Sequence, residues 1–98
     1  MNYKLIVKRS AEHDITEAAD WYYTQGTHLT RQFLKEIDEA IKLLQDNPEQ
    51  YQKRYNEVRV LFTKNFPFGV YYTIENKLVF VHAVLHTKRD PKSGTKRT

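Results

Sequence analysis

The spacing of apolar residues changes midway along this chain, at Asn47-Pro48, and that change most narrows the folds open to it. Ahead of it, Ile15, Ala18, Ala19 and Tyr22, then Phe33, Ile37, Ala40, Ile41 and Leu44, follow the period of one helical face. Beyond it, Val58, Val60 and Phe62 alternate with Arg59, Leu61 and Thr63, the period of a strand. A chain of 98 residues supports one core. Helices and strands must share that core, which makes the class α+β.

Punctuation residues divide the chain into elements. Tyr3 to Lys8 alternates apolar and polar residues with one slip and reads as a strand. Ser10 can cap the helix that follows, Glu12 and Asp14 suit its positive first turn, and Gly26 stops it. Thr27 or Thr30 can cap a second helix, which Asn47-Pro48 ends because a residue before proline avoids the α region. The short glycine-containing link predicts an antiparallel helical hairpin. Asn65 to Gly69 supplies a turn, Val70 to Glu75 a strand and Asn76-Lys77 a tight turn. Leu78 to His86 is a long strand, apolar on both faces and hence central in its sheet. The predicted order is β-α-α-β-β-β. The N-terminal strand and the helical hairpin pack on one face of a small, mainly antiparallel sheet, and the other face is left to solvent or a partner. The first strand joins a sheet edge, beside 58–64 or 78–86. Residues 1–91 form one domain, and 92–98 form a flexible basic tail.

Composition removes several classes of protein. Without cysteine there is no disulfide framework and no cysteine-based zinc or redox site, and a reducing compartment is the simplest setting. No apolar run is long enough to span a membrane, and Met1 to Lys4 open without the apolar core of a signal peptide. A content of 40% hydrophobic residues is too apolar for a disordered chain. The net charge of +4 is unevenly spread. Residues 10–50 hold nine acids against Arg31, Lys35 and Lys42, whereas residues 1–9 carry three bases and no acid, and residues 51–98 ten bases against three acids. The helices are therefore acidic, and the strands and tail are basic. A cationic sheet side would attract nucleic acid or acidic protein segments.

Few residues are candidates for chemistry. His82 and His86 are four apart on a strand, roughly 13 Å, too far to share a zinc ion. His82 reads as a sheet residue, whereas His86, near the strand end beside Lys88 and Arg89, suits binding or proton transfer. Alternation places His82 and His86 on one face with Phe80 and Val84. With Val58, Val60 and Phe62 taken as helix-facing, Arg59 points to the open face. If His86 and Arg89 join it there, they make a basic pocket suited to phosphate or carboxylate. One of Tyr71 and Tyr72 would face the open side, either stacking on a base or simply packing. Trp21-Tyr22-Tyr23 cannot all face one core. Tyr22 fits the stripe, so Trp21 or Tyr23 should reach the surface or brace the hairpin. No glycine-rich phosphate loop or serine nucleophile setting is present, and no cofactor or metal is expected.

The ordered set Ser10-Ala11-Glu12-His13-Asp14-Ile15, Ala18-Ala19-Asp20-Trp21-Tyr22, Phe33, Asn47-Pro48, Val58-Arg59, Phe66-Pro67-Phe68, Tyr71-Tyr72 and Val81 to Pro91 resembles toxins of the ParE/RelE superfamily. The resemblance covers residues 3–91 and is closer to ParE. It implies the same strand-helix-helix-sheet fold and a cytoplasmic toxin of a type II toxin–antitoxin, or plasmid stabilization, pair, held inactive by a cognate antitoxin. ParE-type members poison DNA gyrase and do not cut RNA. RelE-type members cleave mRNA on the ribosome with basic residues and a C-terminal tyrosine or histidine. Cleavage by attack of the 2′-OH needs a base and stabilisation of phosphate charge. Here the base falls to His86, Tyr71 or Tyr72, and the stabilisation to Arg59 and Arg89. After His86 there is no tyrosine or histidine, and Lys92-Ser93-Gly94 stands where many relatives carry tryptophan. The ParE-like, gyrase-directed reading is therefore favoured over the ribosome-dependent endonuclease and over a non-toxic partner-binding member. Arg59, Lys64, Tyr71, His86, Lys88 and Arg89 are the expected target- or antitoxin-binding residues. A homodimer is left open.

Overall fold

The computed structural model describes residues 3–89. Strand β1 (Lys4–Val7) leads into helices α1 (Arg9–Gln25) and α2 (Thr27–Asp46), and a 3-10 turn at Pro48–Gln50 leads to four strands. These are β2 (Lys53–Tyr55), β3 (Val58–Phe62), β4 (Phe68–Glu75) and β5 (Leu78–His86), with a last 3-10 turn at Thr87–Arg89. The sheet order is β1-β5-β4-β3-β2. β1 runs parallel to β5, one of the two expected neighbours, and the other pairs are antiparallel. The α+β class, the helical hairpin and its helix-covered sheet face follow the expected plan. The expected tail at 92–98 lies outside the described residues.

One strand is additional. β2 is Lys53-Arg54-Tyr55, too short and too polar to show a period, and it forms a charged edge of the kind that blocks sheet-to-sheet association. The turn that joins it to β3 places Asn56 at φ 47, a left-handed conformation that asparagine tolerates. β4 also begins earlier than expected, because Phe68 and Gly69 pair with His86 and Leu85 instead of lying in the turn.

The helix boundaries hold, but their hydroxyl residues act elsewhere. Gly26 closes α1 through its N–H to Tyr22 O, and Asn47 does the same for α2 to Leu43 O. Neither Ser10 nor Thr27 caps a helix by its side chain. Ser10 lies inside α1 and donates its hydroxyl to His82 O at 2.7 Å, and Thr30 Oγ1 donates to Ala19 O across the hairpin. The reason lies in the sheet. β1 pairs with β5 only as far as Val81, so the following backbone groups of β5 have no strand on that side. Lys8 N–H reaches Val81 O, Ser10 reaches His82 O, and the Asp14 carboxylate accepts Val84 N–H at 3.0 Å. The start of α1 thus continues the ladder that β1 leaves off.

The core lies between the hairpin and one sheet face. Phe33, Ile37, Ala40 and Leu44 of α2 meet Leu61, Phe68, Val70, Tyr72, Val79, Val81 and Val84. α1 contributes Ala11 fully and Ile15, Ala18, Ala19 and Tyr22 in part. Glu36 is buried on the same α2 stripe. Its carboxylate accepts Asn65 N–H, Phe66 N–H and Asn65 Nδ2, holding the β3–β4 loop against the helix. Burial alone would raise the pKa of this carboxyl. The hydrogen bonds from Phe66 and Asn65 outweigh that and hold it below its ordinary value.

One expected side-chain face is reversed, and one pair of residues expected on the same face is split. Arg59 pairs with Tyr72 and Leu61 with Val70, so these two residues, not Val58, Val60 and Phe62, lie on the helix side. Leu61 is 4% exposed and Phe62 is 49% exposed. Alternation misleads here because β3 is apolar on both faces apart from Arg59. The split comes from a bulge. Tyr71 pairs with Ala83 and Tyr72 with Val81, leaving His82 as an extra residue. His82 therefore bonds Thr73 on the open face, whereas Val84 and His86 fall on the helix side with Phe68.

Candidate functional site

The expected basic pocket on the open face does not form. Arg59 and His86 both lie on the helix side, but at its opposite ends. Arg59 is opposite Tyr72 and His86 is opposite Phe68. Two strands across and four residues along, their backbones are roughly 16 Å apart. Arg59 is half-buried, and its Nη1 donates to Glu49 O at 3.0 Å and to Tyr51 O at 2.7 Å, tying down the 3-10 turn. His86 stacks edgewise on Phe68, with ring centroids 5.4 Å apart, and its Nδ1 accepts the N–H of Lys88 at 3.1 Å. An accepting Nδ1 places the proton of the neutral ring on Nε2, so the basic nitrogen is already engaged.

Neither tyrosine offers a free ring. Tyr71 is 1% exposed on the face away from the helices, where its Cε1 stands 3.1 Å from the place a Cβ on Gly69 would take. Tyr72 is fully buried and donates its hydroxyl to Pro48 O at 2.5 Å. Burial pushes the Tyr72 phenol far up, against the lowering influence of Arg59, so it is no base at neutral pH. His82 is held below its ordinary pKa by burial first and Lys8 second, opposed by Glu75.

Two of the expected basic residues, Lys64 and Lys88, gather at the His86 end of the sheet, away from Arg59. Lys64 is exposed in the β3–β4 loop, and Lys88 is exposed in the turn after β5. These two segments are joined by the bond from Thr87 N–H to Pro67 O. Arg89 follows Lys88 in the chain, and its side chain lies outside what the structure describes.

Beside this basic rim, a groove of about 600 Å³ runs between α1 and the end of β5. Asp14, Glu17, Ala18 and Trp21 form one helical stripe along its wall, with Asp20 next to them. Tyr22, Phe68, Val84, Leu85 and His86 line the rest. Trp21 is 60% exposed, though its ring meets that of Tyr22 at 5.1 Å between centroids, nearly perpendicular to it. Tyr22 belongs to an aromatic cluster with Phe33, Phe66 and Phe68. Trp21 and Tyr23 therefore reach the surface, and Tyr22 takes the core position, as their adjacency required. Read in sequence, the acids of α1 look like an ordinary solvated face. The available signal was tryptophan at the end of that acidic stripe. Among the described residues, no three of His, Asp and Glu come together as a metal site. No described helix is long and apolar enough to cross a membrane.

A helical hairpin on one face of a five-stranded mixed sheet makes this a small α+β protein. The model of the ParE toxin of type II toxin–antitoxin systems (parDE) matches residues 5–91, and the chain belongs to that family. The fold is similar to that of a solved chain from the chromosomal ParDE toxin–antitoxin system of P. aeruginosa, with a TM-score of 0.77 and 22% identity. That likeness covers 86% of this chain and 95% of the other. No curated protein sequence matches the chain significantly.

Proposed function

We propose that this chain acts on DNA gyrase as a toxin in the cytoplasm, without cutting RNA, and is neutralised by a cognate antitoxin. Family membership supports the toxin role and the antitoxin partner. The observation that carries the non-nuclease reading is the separation of Arg59 from His86 at opposite ends of the helix-covered face. RNA cleavage needs a base and a phosphate-stabilising cation around one phosphate. Here Arg59 holds backbone carbonyls, His86 Nδ1 holds a backbone N–H, and both tyrosines are buried. Lys64 and Lys88 supply a target-facing basic rim, a surface suited to an acidic protein segment.

Induced expression tests this. The expected result is filamentation with a DNA-damage response, relieved by the co-expressed antitoxin, and inhibition of purified gyrase in a supercoiling assay. Rapid translation arrest with cut transcripts, abolished by His86→Ala or Arg59→Ala, would overturn it.

A further inference from the structure

The groove between α1 and β5 carries charge opposite to the rim beside it. We infer that it docks a partner protein's segment in which an arginine or lysine is set among apolar side chains. This surface is distinct from the basic rim, and the inference does not depend on which target the toxin strikes.

Three observations, two on α1 and one on the sheet, support it. The first is an uncovered aromatic ring. Trp21 stands 60% exposed at the groove wall, its ring nearly perpendicular to that of Tyr22, so most of the indole is open to a ligand. An indole face attracts a cation more strongly than any other aromatic side chain, and guanidinium stacks on it. The second is the sign of the wall. Asp14, Glu17 and Asp20 line the groove, although the chain as a whole is basic. Asp14 is committed to Val84 N–H, and Glu17 meets only the exposed His13 at 3.3 Å. Asp20 makes no ion pair among the described residues. A cation placed over Trp21 therefore finds two carboxylates with little to lose. The third is the floor. Phe68, Val84 and Leu85 supply apolar surface from the sheet, so the neighbours of the cation in a partner segment have somewhere to pack. A free metal ion uses only the carboxylates, and a small anion uses none of the three. A basic, amphipathic segment uses all three.

Trp21 is the only tryptophan of the chain, so its emission reports the groove directly. The full-length protein is titrated with a synthetic peptide of about twelve residues carrying arginine and leucine at helical spacing. A peptide of the same length with glutamate in place of arginine is titrated in parallel. The expected result is a saturable change in Trp21 emission with the arginine peptide alone, weakened by added salt. The double variant Glu17→Gln/Asp20→Asn should bind about tenfold more weakly with an unchanged thermal melt, because both side chains are exposed. Asp14 is left intact because it holds β5. Equal binding of both peptides overturns the inference, as does undiminished binding to the double variant or the absence of any saturable change. If the arginine peptide binds only after Lys96→Gln/Arg97→Gln in the full chain, the groove is occupied by the chain's own basic residues, and the partner assignment fails.

Discussion

The two ends of the helix-covered sheet face are built from the same residue types and finished differently. At the Arg59 end, a guanidinium is spent on the carbonyls of Glu49 and Tyr51, and the buried Tyr72 hydroxyl on that of Pro48. At the His86 end, an aromatic cluster continues outward into Trp21, whose ring is left largely in solvent beside acids that have few partners. One end satisfies its polar groups internally and contributes to stability. The other leaves aromatic and charged surface unsatisfied, which is how a binding surface is kept available. A basic or aromatic residue therefore says little about function until its end of the sheet is known.

Substitutions can break this contrast. The largest effect is expected at the closed end. Tyr72→Ala removes a fully buried ring and leaves Pro48 O without its donor. It should cost about 3–5 kcal/mol, read as a lowered urea midpoint. A loss below about 1 kcal/mol would mean that this end is not closed. Asp14→Ala comes next. It strips the acceptor from Val84 N–H on the side of β5 that β1 leaves unpaired, and should cost about 1–2 kcal/mol in the same measurement, with faster amide exchange at Val84.

Acid should weaken the fold through two groups. The Glu36 carboxyl sits below its ordinary pKa, so its contribution is complete above the unfolded carboxyl value and is lost as pH falls through the folded value. The His82 ring also sits below its ordinary value of 6.5, so the unfolded chain takes up that proton first, and stability falls as pH drops through 6.5. Melting temperature against pH should therefore descend in two limbs. His82→Gln should flatten only the upper limb, and Glu36→Gln only the lower. The smallest effect belongs to the open end. Trp21→Ala should change stability by no more than about 0.5 kcal/mol, despite the size of the ring. A larger loss would make Trp21 a brace of the hairpin and close the contrast.

Much of the architecture was legible because it depends on spacing. The change of period at Asn47-Pro48, the Gly26 break and the Asn76 turn recover both helices and three of the four C-terminal strands. β2 was not legible, since three polar-edged residues carry no period, and its turn at Asn56-Glu57 is short. The candidate site was less legible than the fold. Lys64 and Lys88 lie at one end of the sheet, but the pairing that unites their loops, Thr87 with Pro67, cannot be read from either segment alone. Glu36 resembled every other acid of the hairpin. Only its place on the apolar stripe, three residues after Phe33, marked it.

The sequence by itself determined the class, the order of the long elements, the absence of disulfides and the polarity of charge between helices and strands, because each depends on composition or local period. The tertiary structure decided which way each charge points. A single bulged residue, His82, sends His82 and His86 to opposite faces, and the β3–β4 register turns Arg59 toward the helices. Both follow from how strands align with one another, a long-range choice made by core packing. The groove is of the same kind. Its wall is one stripe of α1 and its floor is the end of β5, about seventy residues later in the chain, and they meet where β1 stops and Asp14 takes over the pairing of Val84.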